Sequence, residues 1–267
     1  MSQPKRLSPY WHLNRLSALI ISSILVFSAT PAGAVDATPT PTASPSSTTS
    51  PTPTPSAIPI SPLPTTSASP SPSAPPVYDI DAASSLYVVV NKQRPLNPIT
   101  YKPKLATVNG VSVAASIAEQ YKAMAAGMKA ARAGILILNS GYRSFESQTR
   151  IHANQVARLG LAAGEALAAR PGYSEHQTGL AVDVSAKGQG CAIYTCFAKT
   201  SAGKWLAANA YQYGFILRYY NGQTAVHGYQ FEPWHFRFVG VEVATQMKLK
   251  RIGVLERFWA LPAAPTY

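Results

Sequence analysis

Two short polar blocks of the sequence carry residues that can bind a metal ion and use it. The first block spans residues 174–183 and contains His176 and Asp183, and the second contains Glu232 and His235. Two imidazoles and a carboxylate can give a zinc ion three protein ligands while a fourth position stays open for water, which is typical of hydrolytic sites. The remaining carboxylate could accept a proton from that water. The residue types therefore indicate metal-assisted hydrolysis.

The first block needs a chain reversal to place its two metal-binding residues together. His176 and Asp183 lie seven residues apart, which is farther than one helical turn. Gly179 is expected to permit the reversal, because glycine tolerates turn conformations that other residues resist. Residues 179–185 then alternate apolar and polar side chains, which predicts a strand with Asp183 on the face toward a cleft.

The second block differs from the helical zinc motif. Glu232 precedes His235 by three residues, and Pro233 between them disfavours a helix interior. The helical His-Glu-x-x-His motif instead places its two histidines four residues apart on one face. We expect Glu232 in the turn that leads into the strand carrying His235, and a surface carboxylate is the alternative. His227 lies outside both blocks, and a solvated loop position is expected for it, with orientation of the substrate or of a ligand as the alternative.

One arginine follows a predicted buried strand. The apolar run at residues 135–138 leads into a Ser-Gly-Tyr-Arg turn that ends at Arg143. Peptide hydrolysis needs a positive donor for the developing oxyanion, and a guanidinium stays charged at any ordinary pH. Arg143 is therefore predicted to bind the substrate carbonyl and stabilise the transition state, with a surface salt bridge as the alternative.

These blocks resemble the zinc D,D-carboxypeptidases of the VanY type, which trim terminal D-alanine from bacterial cell-wall stem peptides. That family carries a similar Ser-x-His-x-x-x-x-x-x-Asp block followed much later by Glu-x-x-His, and the resemblance covers about residues 86–246. It implies three zinc ligands and a catalytic base: His176, Asp183 and His235, then Glu232. It also implies contacts of Gln148 and Ser174 with the stem peptide, and capping or surface roles stay open for these two.

The pattern of elements predicts an α+β domain. Short strands and helices follow one another without a regular βαβ rhythm, which favours a small, mainly antiparallel sheet flanked by helices. The resemblance implies a Hedgehog/D,D-peptidase-like fold with a first strand at residues 89–92. The pattern predicts further strands at 135–138, 179–185, 215–219 and 234–239. It predicts helices at 112–132, 144–159, 161–169, 202–213 and from 241 onward.

The N-terminal part of the chain is expected to lie outside this domain. Residues 1–34 read as a signal peptide, with basic residues before an apolar run and an Ala-Gly-Ala site at its end. Residues 35–76 are a Pro/Ser/Thr-rich segment that cannot bury enough apolar surface to order, so we expect a disordered linker. Residues 77–267 are the predicted zinc D,D-carboxypeptidase domain. The protein is expected to be secreted or cell-wall associated, and an uncleaved membrane anchor is the alternative.

Charge and cysteines restrict the partners and the compartment. The chain carries a formal net charge of +12, and removal of residues 1–34 would leave 20 Lys and Arg against 11 Asp and Glu. An anionic wall polymer or membrane surface could bind this positive charge, or the charge could serve solubility alone. No nucleic-acid motif is present in the sequence. Cys191 and Cys196 are expected to form a disulfide that fixes a loop beside the site, because exported chains keep such bonds.

The expected function is zinc-dependent removal of D-alanine from peptidoglycan stem peptides by a monomer. An L,D-carboxypeptidase or a peptidoglycan endopeptidase would use the same metal chemistry at another bond. A non-catalytic wall-binding module is the alternative from a different class, although binding alone requires no base such as Glu232.

Overall fold

The structure is a computed structural model that describes residues 78–267. The predicted signal peptide and the whole of the predicted linker lie outside the described residues. None of the described helices is long and apolar enough to cross a membrane. The described strands are β1 (Leu105–Val108), β2 (Val111–Ala114), β3 (Leu136–Ser140), β4 (Ala181–Ala186), β5 (Phe215–Leu217) and β6 (His235–Phe238). The described α-helices are α1 (Ala118–Ala130), α2 (Phe145–Leu159), α3 (Leu161–Glu165), α4 (Ser201–Asn209), α5 (Thr224–His227), α6 (Val241–Leu249) and α7 (Leu255–Phe258).

A four-stranded antiparallel sheet in the order β3-β4-β6-β5 forms the centre of the domain. The predicted α+β class with a small antiparallel sheet is therefore confirmed. The two inner strands are buried along their whole length, because elements cover both faces of the sheet. In their register Asp183 of β4 pairs with His235 of β6. The sheet thus places the two polar blocks of the sequence side by side.

Helix α1 packs its apolar stripe into the main core. Tyr121, Met124 and Met128 are each buried, as their spacing predicted, and they join the core cluster that contains Val182 and Phe236 of the inner strands. A second cluster forms around α6 and includes Ile216 of β5. Ile216 therefore faces one layer while its strand neighbours face the other, as the two-residue period of a strand requires.

The region before α1 differs from the predicted single helix at 112–132. A two-stranded hairpin of β1 and β2 occupies its beginning, and the α-helix starts only at Ala118. Asn109 and Gly110 form the turn with φ values of 50° and 81°, which is the backbone of a tight Asn-Gly hairpin. The strand that the resemblance implied at residues 89–92 is also wrong, since only an isolated bridge between Asn91 and Arg94 forms there.

Several predicted helices and strands are present but end earlier than the sequence predicted. Helix α3 stops at Glu165 rather than at residue 169, and β5 stops at Leu217 rather than at residue 219. Helix α2 begins where predicted, because the Ser144 hydroxyl caps it by accepting the Ser147 N–H at 3.2 Å.

Candidate metal centre

The side chains of His176, Asp183 and His235 converge on one buried position, the metal point. Each offers one ligand atom, and these atoms lie within 4.8 Å of one another. Nε2 of His176 is 3.2 Å from Oδ2 of Asp183, and Nδ1 of His235 is 3.2 Å from Oδ1 of the same carboxylate. The three residues that the sequence predicted as ligands are thus brought together.

The chain reversal before β4 brings His176 to this point. His176 lies in a short 3-10 turn, Glu175–Thr178, which ends at Gly179 with a left-handed φ of 68°. A Cβ atom on Gly179 would lie 2.7 Å from the backbone nitrogen of Ala114. Only glycine can adopt this conformation and also permit the close approach of β2. The predicted role of Gly179 is therefore confirmed.

A backbone carbonyl fixes the ring of His176. Nδ1 of His176 lies 2.7 Å from the carbonyl oxygen of Gly141, so this nitrogen donates its proton there and Nε2 keeps its lone pair. The carbonyl of Gly141 belongs to the turn that follows β3. Because a Cβ on Gly141 would lie 2.3 Å from the oxygen of Ser112, this turn also depends on a close backbone approach.

The polar atoms at the centre fit a bound cation. Nε2 of His176 and Oδ1 of Asp183 are buried, and neither has a hydrogen-bond partner among residues 78–267. Buried polar atoms normally find partners, because their desolvation is costly. Here Nε2 of His176 lies near Oδ2 of Asp183, and Oδ1 of Asp183 lies near Nδ1 of His235, but neither contact has hydrogen-bond geometry. Two imidazoles and one carboxylate are the donor set of a three-ligand hydrolytic metal site, and the residues therefore fit a divalent metal ion.

His235 is held from the side opposite Asp183. Its Nε2 lies 3.3 Å from Oε2 of Glu175, a carboxylate that is only 2% exposed. Its ring also packs against Tyr219, with the centroids 4.8 Å apart. Nδ1 is then the nitrogen that faces the metal point. Sequence reasoning missed Glu175, although the glutamate directly before His176 in a buried turn could have indicated it.

Burial and mutual charge give the metal-binding residues unusual pKa values. Burial and the nearby charge of Arg143 lower the pKa of His176 to about 4. Burial opposes ionisation of Asp183, but the adjacent rings of His176 and His235 together hold its pKa well below the usual range. Burial also opposes protonation of His235, yet the carboxylates of Asp183 and Glu175 raise its pKa to about 9. A metal ion would replace the proton on His235.

Glu232 stands beside the three donors and is not one of them. It precedes β6 in a turn in which its carbonyl accepts the His235 N–H at 3.1 Å, as its predicted place in the turn requires. Its Oε2 is 3.8 Å from Nδ1 of His235. Burial raises the pKa of Glu232 to about 8, and the neighbouring Asp183 adds to the rise. A carboxyl group with such a pKa can exchange a proton near neutral pH.

Arg143 and Gln148 form one side of the site. Nη2 of Arg143 lies 3.5 Å from Oδ2 of Asp183, and its Nη1 donates to Oε1 of Gln148 at 3.2 Å. Gln148 is 1% exposed and is itself fixed because its Nε2 donates to the carbonyl of Ala169 at 2.8 Å. Ser174, which is 4% exposed, lies on the same small cavity. Gln148 therefore positions Arg143, while contact of Gln148 and Ser174 with a stem peptide stays a prediction.

Two tyrosines that sequence reasoning missed complete the lining of this cavity. Tyr219 and Tyr229 pack against each other with centroids 4.6 Å apart and border the space next to Glu232 and His235. The cavity has a volume of about 30 Å³, so it marks the metal point rather than a whole substrate groove. A larger cavity of about 560 Å³ lies between α4, β5 and α6, and none of the metal-binding residues lines it.

One expectation about a neighbouring residue is wrong. His227 is fully buried rather than solvated, and its Nδ1 accepts the backbone N–H of Tyr229 at 3.2 Å. The predicted disulfide between Cys191 and Cys196 is present. None of residues 187–200 lines the small metal-site cavity, and the place of this loop beside the site stays a prediction.

A central antiparallel sheet that carries an open three-donor site with a spare carboxylate defines a metallopeptidase domain. The family model of VanY, described as D-alanyl-D-alanine carboxypeptidase, matches residues 110–241. The chain belongs to this VanY family of D-alanyl-D-alanine carboxypeptidases. Among relatives, a D-alanyl-D-alanine carboxypeptidase of Enterococcus faecium is 40% identical over 122 residues, which are 46% of this chain and 35% of that protein. The chain thus spans about a third of that relative's length.

Two solved structures share the fold. The LdcB LD-carboxypeptidase superposes with a TM-score of 0.62 at 33% identity, covering 67% of this chain and 87% of that one. A mutant of the vancomycin-resistance D,D-pentapeptidase VanY in complex with Zn(II) gives a TM-score of 0.58 at 34% identity, covering 66% of this chain and 99% of that one. The D,D-peptidase-like fold predicted from the sequence is confirmed.

Proposed function

We propose that the protein is a zinc D,D-carboxypeptidase that removes the terminal D-alanine from peptidoglycan stem peptides. The observation that carries the proposal is the position of Glu232. It is buried at the metal point with its Oε2 3.8 Å from a ligand nitrogen of His235, and it is left out of the three-donor set. A site built only to hold a metal ion, or only to bind a cell wall, needs no such base.

The residues of the chain divide the reaction between them. A bound zinc ion would supply a Lewis acid that polarises the scissile carbonyl and makes water more acidic. Glu232 accepts a proton from the attacking water as the new C–O bond forms. It then gives that proton to the leaving nitrogen as the C–N bond breaks, which releases D-alanine and a shortened peptide carboxylate. Arg143 donates to the carbonyl oxygen as negative charge develops there.

The similar proteins support zinc and a D-alanine-containing substrate. A solved VanY relative contains Zn(II), and the donor set of His176, Asp183 and His235 is of the kind that zinc prefers. The Enterococcus faecium relative is named a D-alanyl-D-alanine carboxypeptidase. The likeness to the LdcB LD-carboxypeptidase favours one second candidate, hydrolysis at an L,D bond by the same residues.

Product analysis separates the two candidates. Zinc-loaded protein is incubated separately with a stem pentapeptide that ends in D-Ala-D-Ala, with the matching tetrapeptide and with a cross-linked dimer of stem peptides, and the products are analysed by mass spectrometry. The proposal predicts loss of one alanine from the pentapeptide and an unchanged tetrapeptide. Loss of alanine from the tetrapeptide alone would establish the L,D-carboxypeptidase, and an internal cut in a cross-linked dimer would establish an endopeptidase.

The working site is proposed to lie outside the cytoplasmic membrane, secreted or associated with the cell wall. The disulfide between Cys191 and Cys196 supports an oxidising compartment. Fractionation of cells with an antibody to the domain tests this location. Sedimentation with purified wall sacculi tests the proposed anionic wall partner. If the zinc-loaded wild-type protein sediments with the sacculi but hydrolyses no stem peptide, the wall-binding module is favoured.

A further inference from the structure

A fully buried cluster of four charged side chains lies behind the metal centre. Each member is at most 2% exposed, and the members are Glu175, Arg218, Arg237 and Glu256. Two carboxylates and two guanidiniums leave the cluster with no net charge. Burying four charges is costly unless each one is paired and hydrogen-bonded. The contacts within this cluster therefore show what holds each group in place.

Glu175 is the member that reaches the metal centre. Its Oε1 accepts hydrogen bonds from Nε of Arg218 at 2.8 Å and from Nη1 of Arg237 at 3.2 Å. Its Oε2 remains for His235 and lies 3.3 Å from Nε2 of that ring. An ionised carboxylate can only accept, so the ring must donate from Nε2. The lone pair of Nδ1 is then directed toward Asp183 and the metal point.

Glu256 of α7 forms the outer layer of the cluster. Its carboxylate accepts a hydrogen bond from each terminal nitrogen of Arg218, with Oε2 3.0 Å from Nη1 and Oε1 2.6 Å from Nη2. Nδ2 of Asn91 also donates to Oε1 at 3.1 Å. Such a two-pronged pair fixes the plane of the guanidinium. Glu256 thus sets the angle at which Nε of Arg218 meets Glu175.

We propose that Glu175 is a positioning residue for the metal ligand His235, and that Glu256 acts on the same ligand through Arg218. A buried ion pair that served folding alone would not need one carboxylate oxygen free for the ring of a ligand. Carboxylates that accept the second N–H of a metal-bound histidine orient the ring and strengthen its binding. The inference rests on the proposed zinc site, and it makes no use of the substrate or of the bond cleaved.

Zinc affinity tests the proposal without any measurement of hydrolysis. Glu175→Gln should weaken zinc binding about 10- to 100-fold in competition with a chromophoric chelator. Glu256→Gln should weaken it by a smaller factor of about 3 or more, because it acts through one intervening side chain. Glu119→Gln is the matched control, since this exposed glutamate pairs only with Lys122 on α1. Wild-type zinc affinity in both folded cluster variants would overturn the proposal.

A measurement on the wild-type protein decides the matter if the variants fail to fold. Long-range ¹H–¹⁵N spectra of the zinc-loaded protein report which nitrogen of each histidine carries a proton. The expected result is Nε2–H on His235 and Nδ1–H on His176. A proton on Nδ1 of His235 would overturn the proposal, because Glu175 would then not receive its hydrogen bond. Zinc binding with the expected protons but without peptide hydrolysis would count against the proposed function alone.

Discussion

Oε2 of Glu232 lies 3.8 Å from Nδ1 of His235. The distance is too long for a hydrogen bond, and Glu232 is buried rather than a surface group. It follows from the turn in which the carbonyl of Glu232 accepts the N–H of His235. One turn therefore places His235, a proposed metal ligand, on a central strand and Glu232, the proposed proton acceptor, just before it.

Glu232→Gln is expected to separate metal binding from hydrolysis. The amide keeps the size of the side chain but cannot accept a proton, so turnover should fall about 10²- to 10⁴-fold. The metal content should stay at one zinc per chain, because Glu232 is outside the ligand set. Release of D-alanine and the zinc-to-protein ratio are measured on the same samples. Near-wild-type turnover in this variant would remove Glu232 from the mechanism.

Two roles of Gln148, positioning of Arg143 and direct contact with the stem peptide, are separated by a double-mutant cycle with Arg143. Gln148→Leu removes the oxygen that accepts the N–H of Arg143 at 3.2 Å. The guanidinium is then no longer held toward the substrate carbonyl, so kcat should fall about 10-fold. Arg143→Lys should cost more, about 10²- to 10³-fold, because the donor itself is changed. In the Arg143→Lys background the additional change at Gln148 should have little effect, which a double-mutant cycle measures. Independent, fully additive effects would instead indicate that Gln148 contacts the substrate directly.

Gly179 and Gly222 provide a matched pair for the chain reversal. Both have a left-handed φ, 68° and 73°, but a Cβ on Gly179 would lie 2.7 Å from a backbone nitrogen, whereas Gly222 has open space. Gly222→Ala should lower the free energy of unfolding by about 1–2 kcal/mol, the cost of the backbone conformation alone. Gly179→Ala should lower it by about 3–5 kcal/mol, because β2 must also move. Urea unfolding measures both, and equal losses would show that the close approach is unimportant.

His227 is expected to make stability depend on pH. Burial and the charge of Arg218 lower its pKa to about 4, whereas the unfolded chain binds this proton near pH 6.5. The unfolded state therefore gains a proton first as the pH falls, and the contribution of the neutral ring is lost between about pH 6.5 and 4. His227→Asn keeps an acceptor for the N–H of Tyr229 and removes the titration.

Urea unfolding of the metal-free protein at pH 7 and pH 5 measures this effect. The wild type should lose about 2 kcal/mol more than His227→Asn over that interval. Because the other titrating groups are the same in both proteins, the difference belongs to His227. The same loss in both proteins would show that the pKa of His227 is the same in the folded and unfolded states, as for an exposed ring.

The site was predictable from the sequence because its chemistry is concentrated in two short blocks. The residue types and spacing of His176, Asp183, Glu232 and His235 indicated candidate ligands and a candidate base, and one sheet register places Asp183 beside His235. Glu175, Arg218 and Glu256 could not be paired from the sequence, since they come from three distant segments. The burial of His227 was missed for the same reason, because tertiary packing and not local sequence encloses it.

The fold class was predictable from the sequence, whereas the ends of individual helices and strands were less so. The stripe on α1 and the cap at Ser144 carried local signals that the structure follows. The β1–β2 hairpin carried one as well, the Asn109-Gly110 pair, but the helix-forming residues that follow obscured it. The disulfide pair was correctly predicted from the two cysteines of an expected exported chain.

Anomalous diffraction at the zinc edge, from crystals of the metal-loaded domain, tests the central claim most directly. We expect one strong peak enclosed by His176, Asp183 and His235, with each ligand atom about 2.0–2.2 Å away. The carboxylate of Glu232 should lie close to the ion without joining this set. No peak at this point with zinc in excess, or a peak held by other residues, would contradict the account.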